Sequence, residues 1–88
     1  MENINDVLEE RDKAYGEFKS HAHITQSIKR EMCGSDSWGL CSDVQKEALE
    51  MVAHKIGRIV NGDPNYLDSW VDIAGYVQLV INDMQDTN

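Results

Sequence analysis

The chain has 88 residues, with 16 Asp or Glu against 8 Lys or Arg and a formal net charge of -8. This length admits one domain, and a single helical domain over residues 1–88 is the expected organisation. The acid excess excludes non-specific binding to nucleic-acid backbones, which requires clustered Lys and Arg, and no apolar run is long enough to span a membrane.

The N-terminal MENINDVLEE is acidic and lacks the charged-then-apolar pattern of a signal peptide, so a soluble, cytoplasmic protein is expected. So small a core gives only marginal stability, and homo-oligomerisation to a dimer or tetramer is the expected remedy. Cys33 and Cys41 flank GSDSWGL. Their spacing leaves pairing open, and a reducing cytosol favours free thiols.

In chain order, residues 3–14 carry Ile4, Val7 and Leu8 ahead of the charged EERDK, which predicts a short, mostly exposed helix. AYGEF (Ala14 to Phe18) interrupts it. In the second segment Phe18, Ala22, Thr25, Ile28 and Met32 recur at helical intervals, and Cys33-Gly34 is the stop. His21 and His23 are expected on its surface. GSDSWGLC then reads as a loop with Trp38 and Leu40 turned back on the core.

The third segment begins with a capping box, Ser42 and Gln45, and its apolar arc is Leu49, Val52, Ala53, Ile56, Ile59 and Val60. It stops at Asn61-Gly62. Asp63 is the expected cap of a fourth helix, with Pro64 in its first position. That helix runs to about Met84 with Trp70, Ile73, Ala74, Val77, Val80, Ile81 and Met84 as its arc. The expected fold is all-α: a small helical bundle built on an antiparallel hairpin (about 43–60 and 65–84) plus two N-terminal helices.

Both hairpin helices carry a second face. Glu47, Glu50, His54 and Arg58 form a stripe opposite the apolar arc of the third helix. Asp68, Asp72, Gly75, Tyr76 and Leu79 cluster on the side of the fourth helix away from Trp70 and Val77. Glu47, Glu50, Asp68 and Asp72 are candidate metal ligands, since Mg2+ takes a few carboxylate oxygens and keeps several waters. Gly75, Tyr76 and Leu79 are candidate interface residues, Gly75 by permitting close backbone approach. A regular antiparallel hairpin places Glu47 and Glu50 nearer Leu79 to Asp83 than Asp68. Gathering all four acids therefore needs a skewed crossing or a partner subunit.

RDKAYGEFKSHAHITQSIKR and EALEMVAHKIGRIVNGDPNYLDSWVDIAGYVQLV together resemble a small domain of unknown function common in bacteriophages and prophages, over about Arg11 to Val80. That resemblance brings no established activity. More distantly, the layout is similar to the all-α nucleoside triphosphate pyrophosphohydrolases of the MazG and dimeric dUTPase type, which pair E-x-x-E with a later E-x-x-D. Glu47 and Glu50 match the first motif. In the second, Asp72 stands for the final aspartate but Ser69 occupies the glutamate position, with Asp68 beside it as a substitute. The resemblance implies Mg2+ on Glu47, Glu50 and Asp72 with Asp68 as helper, phosphate on His54, Lys55 or Arg58, and a base stacked on Tyr76 or Trp38. The function implied is binding, and with a working second motif cleavage, of nucleoside triphosphates. Whether the protein is an enzyme is left open. The alternative is a non-enzymatic acidic interaction protein that binds and inhibits a host protein or defence complex, which the net charge and the imperfect second motif favour.

Overall fold

The computed structural model of the chain describes residues 3–86; residues 1–2 and 87–88, the ends of the expected domain, lie outside the described residues. It is all-α: α1 (Ile4–Tyr15), α2 (Phe18–Cys33), a short 3-10 turn (Trp38–Leu40), α3 (Asp43–Asn61) and α4 (Leu67–Asp86), with no strand among the described residues. The helices pack as a bundle with α3 at its centre, contacted by α2 and α4 and, less extensively, by α1.

The start of α3 is fixed by its cap. The Gln45 amide donates to Ser42 Oγ (3.1 Å) and the Ser42 amide to Gln45 Oε1 (2.9 Å), satisfying two backbone donors that a helix start otherwise leaves open. The start of α4 differs from expectation. Asp63 and Pro64 form a turn rather than a cap: the Tyr66 amide donates to the Asp63 carbonyl and the Asn65 amide to Asp63 Oδ1. Asp at the first position of a β-turn and Pro at the second suit that geometry equally well, so the helix starts only at Leu67. Trp70 Nε1 donates to the Pro64 carbonyl (2.8 Å), which ties the turn to α4.

Burial departs further from the expected arcs. Along α4 the stripe turned to α3 is Ser69, Ile73, Tyr76, Val80 and Asp83, buried or half-buried at three- and four-residue intervals. Trp70, expected in the core, is 53% exposed, and Val77, Ile81 and Met84 are exposed with it. One helix–helix contact covers a narrow stripe, and the apolar arc of α4 is wider than that stripe. In α3, Ala53 and Ile59 are buried whereas Leu49, Ile56 and Val60 are exposed. Trp38 is half-buried, but Leu40 is 85% exposed and does not turn back on the core. Phe18 also stands outside the core at 72% exposure. Cys33 and Cys41 are both free thiols.

Where α2 crosses α3 the approach is close. A Cβ at Gly57 would collide with Thr25 Oγ1 and lie 2.9 Å from His21 Nδ1. His21 and Thr25 are consequently buried, at 5% and 3% exposure, so His21 is not the surface residue expected; His23 is exposed. At the other end of the crossing, AYGEF reverses the chain between α1 and α2. Gly16 takes φ 79°, a conformation that side chains disfavour. Asn61 latches this reversal by donating from Nδ2 to the carbonyls of Tyr15 (3.0 Å) and Glu17 (2.9 Å), and the Asp63 amide donates to the Ala14 carbonyl (2.9 Å).

Gly57→Ala is expected to destabilise the protein by about 1–3 kcal/mol through overpacking. Gly75→Ala, whose Cβ would meet nothing within 4 Å in the chain, is expected to stabilise it by roughly 0.5–1 kcal/mol through helix propensity. Urea denaturation of both variants checks the contrast.

Candidate functional site

The latch between α1, α2 and α3 leaves a crevice of about 180 Å³ at their junction, lined by Leu8, Arg11, Asp12, Tyr15, Gly16, Phe18, His21, His54 and Arg58. A second hollow of about 350 Å³ shares Arg11, Tyr15 and Arg58 with it and adds Glu10, Ala14 and Tyr66. Each lining residue has a local cause. Arg11 and Tyr15 are one turn apart on α1, His54 and Arg58 one turn apart on α3, and His21 is held down by the Gly57 contact. The Arg58 guanidinium lies 4.1 Å from the centroid of the Tyr15 ring, a cation–π contact that orients it. Tyr15 in turn meets Tyr66 edge to face, with centroids 5.6 Å apart.

The floor is a histidine pair. His21 Nε2 and His54 Nδ1 are 3.3 Å apart, with the rings edge to face at 4.6 Å, and Thr25 Oγ1 is 3.4 Å from the same His21 nitrogen. His21 Nδ1 is buried against Gly57 without a well-formed hydrogen bond. Burial lowers the pKa of both rings. His54 falls to about 4, with Arg58 and then His21, Lys55 and Lys29 adding to the effect; His21 is lowered by burial and by Arg58 and Lys29, against a raising contribution from the Gly57 backbone. Both imidazoles are therefore neutral near pH 7 and can donate or accept according to tautomer. The positive charge of the crevice belongs to Arg11 and Arg58, and Asp12 is the carboxylate on its lining.

The residues expected to bind nucleotide are thus divided. His54 and Arg58 face the crevice, whereas Lys55 points to α4 and pairs with Asp72 at 2.9 Å. Tyr76 lies on a flank of the hairpin, in two adjoining shallow depressions: one with Val71, Asp72, Gly75 and Leu79, the other with Asp43, Val44, Glu47, Ala48 and Leu79. Glu47 and Asp72 border this flank. Glu50 is half-buried and lies three and seven residues before Ala53 and Gly57, on the α2-facing stripe, and Asp68 is exposed in the first turn of α4. Among the described residues no group of three or more His, Cys, Asp or Glu is arranged to hold a metal ion. Asp72 is engaged by Lys55, and no three of Glu47, Glu50, Asp68 and Asp72 come together within one chain. Within the chain nothing approaches Gly75.

Arg11, Tyr15, Phe18 and His21 are site residues that sequence patterning did not single out. The available signal was Gly57. A glycine inside a patterned helix permits close approach, and the neighbours that Gly57 admits are Thr25 and His21.

Fold and crevice together define a small all-α domain with a cationic, imidazole-floored pocket. The chain belongs to the family described as domain of unknown function DUF6378, whose model matches residues 1–83. No curated protein and no solved structure matches the chain. Among the described residues no helix is long and apolar enough to cross a membrane.

The lowered pKa of His54 sets a pH dependence. The unfolded ring binds a proton below about 6.5 and the folded ring only below about 4. Between these values the unfolded state holds more protons, so stability falls as pH falls. Wild-type stability relative to His54→Gln is expected to decline from pH 7 to pH 4.5 in urea titrations, and the His54 imidazole to titrate near 4 by NMR.

Proposed function

We propose that the protein binds a nucleotide in the α1–α2–α3 crevice, phosphate against Arg11 and Arg58 and base against the exposed rim. The presence of two arginines on the lining of a crevice that also holds a neutral histidine pair carries this reading, in a chain whose net charge is -8. Guanidinium forks match phosphate oxygens in geometry and charge. The imidazole floor supplies uncharged hydrogen-bonding atoms, and Asp12 can accept from a sugar hydroxyl. Phe18 and Leu8, both exposed at the mouth, offer a surface on which a base can stack, which favours a nucleotide over inorganic phosphate. The likeness to phage and prophage domains supports a phage-related role, whereas the more distant likeness to MazG-type pyrophosphohydrolases rests on the hairpin acids, outside this crevice. Because the structure does not gather the four acids within one chain, no hydrolytic step is assigned.

Isothermal titration with a panel of nucleoside mono-, di- and triphosphates tests this. Binding is expected to persist in EDTA and to weaken about tenfold or more in Arg11→Ala, the loss of one charge-assisted hydrogen bond. Arg11 is exposed, so the variant keeps the fold. The absence of any nucleotide binding by wild type would refute the reading.

A second reading rests on the hairpin flank. There Val44, Val71, Tyr76 and Leu79 form an apolar strip rimmed by Asp43, Glu47 and Asp72. Such a strip suits a basic host protein, as expected of an inhibitory interaction protein. A stoichiometric basic protein recovered from host lysate and lost on Leu79→Lys would support it; recovery unchanged by Leu79→Lys would count against it.

A further inference from the structure

The opposite flank of the hairpin is different in kind. Leu49, Ile56 and Val60 of α3 are exposed there, and beside them Trp70, Val77 and Ile81 of α4. Their spacings place each set on one helix stripe, and on α4 that stripe lies across the α3-facing residues from Leu79. Between the stripes runs a groove of about 400 Å³ lined by Cys41, Gln45, Ala48, Leu49, Val52, Val77, Val80 and Ile81, none of them charged.

We propose that a second copy of the chain covers this plate, the two α3–α4 hairpins packing face to face about a two-fold axis into a four-helix seam. Two observations, area and shape, favour a second copy as the occupant, and a third, charge, selects the face. The first is area. The accessible surface is 6453 Å², whereas a folded 10.0 kDa monomer exposes about 5,200 Å². The excess, about 1,200 Å², is of the order each partner contributes to an obligate dimer. The second is shape. The radius of gyration is 15.1 Å with extents of 48 × 26 × 24 Å, against about 12 Å for a compact domain of this length. Side-by-side pairing of two elongated hairpins restores compactness.

The third is charge. A two-fold seam sets each patch against itself, and two chains of charge -8 repel. On the acid-rimmed flank a two-fold pairing would bring Asp43 and Glu47 of both copies into one seam. The plate carries no charge to repel, and its apolar side chains are complementary to themselves. The seam therefore lies on the Val77 side, across the hairpin from Gly75, Tyr76 and Leu79.

Light scattering coupled to size exclusion tests this on the full chain at micromolar concentration. Wild type is expected at twice the 10.0 kDa chain mass, with a Tm that rises with protein concentration. Val77→Glu and Ile81→Glu are each expected to yield monomer at that concentration, whereas Leu79→Glu stays dimeric. A wild-type monomer with a concentration-independent Tm would overturn the proposal even if the glutamate variants fail to fold. A dimer lost in Leu79→Glu but kept in Val77→Glu and Ile81→Glu would overturn it too.

Discussion

The missing side chain at position 57 sets how closely α2 can lie on α3. A methyl group there would strike Thr25 and press on His21. Without it, both polar side chains are buried and His21 meets His54 across the crossing. Buried polar groups need partners, and these three largely satisfy one another, with His21 Nδ1 left against the Gly57 backbone. The same crossing brings the start of α2 close enough for Asn61 to latch the Tyr15–Glu17 reversal, and that latch carries α1 with Arg11 and Tyr15 to the side of Arg58. The crevice is thus a consequence of one glycine and one asparagine on α3.

The central helix divides its faces by chemistry. Toward α1 and α2 it presents His54, Gly57, Arg58 and Asn61, and the contacts are polar and specific. Toward α4 it presents Ala48 and Ile59, with Lys55 reaching Asp72 beside them. What α3 and α4 cannot cover between them remains as two flanks, one rimmed by acids and one apolar and uncharged. No large side chain is fully buried among the described residues. A chain this short gains only modest stability from its own core, and much of its apolar surface stays exposed on the two flanks.

The helices were legible because their signals are local. The Ser42–Gln45 box, the Cys33-Gly34 stop and the three-to-four spacing in α3 act within a few residues and give the end of α2 and the bounds of α3 closely. The α4 start at Leu67 is not legible locally, because Asp63-Pro64 satisfies a turn as readily as a cap. Burial was less legible, since spacing predicts an apolar arc but not how much of it a neighbour covers; Trp70 and Val77 belong to the arc and lie outside the contact. For the site, His54 and Arg58 could be named from their stripe, while Lys55 and Tyr76 belong to other surfaces. Tyr15 and His21 reach the crevice through contacts with α3 residues more than thirty positions away, and Arg11 comes with Tyr15 from one turn earlier on α1, which no local pattern encodes. The E-x-x-E likeness drew attention to Glu47 and Glu50, yet a helix-spacing match says nothing about whether a second helix brings its acids alongside.

The central claim is that the crevice, and not the acid-rimmed flank, is where a nucleotide binds. Titrating a nucleoside triphosphate into isotopically labelled protein, followed through backbone and imidazole resonances, tests it most directly. Saturable shifts are expected on Arg11, Tyr15, His21, His54 and Arg58, with Glu47 and Asp72 unmoved. Shifts confined to Glu47, Asp72 and Tyr76, or none at saturating nucleotide, would contradict it.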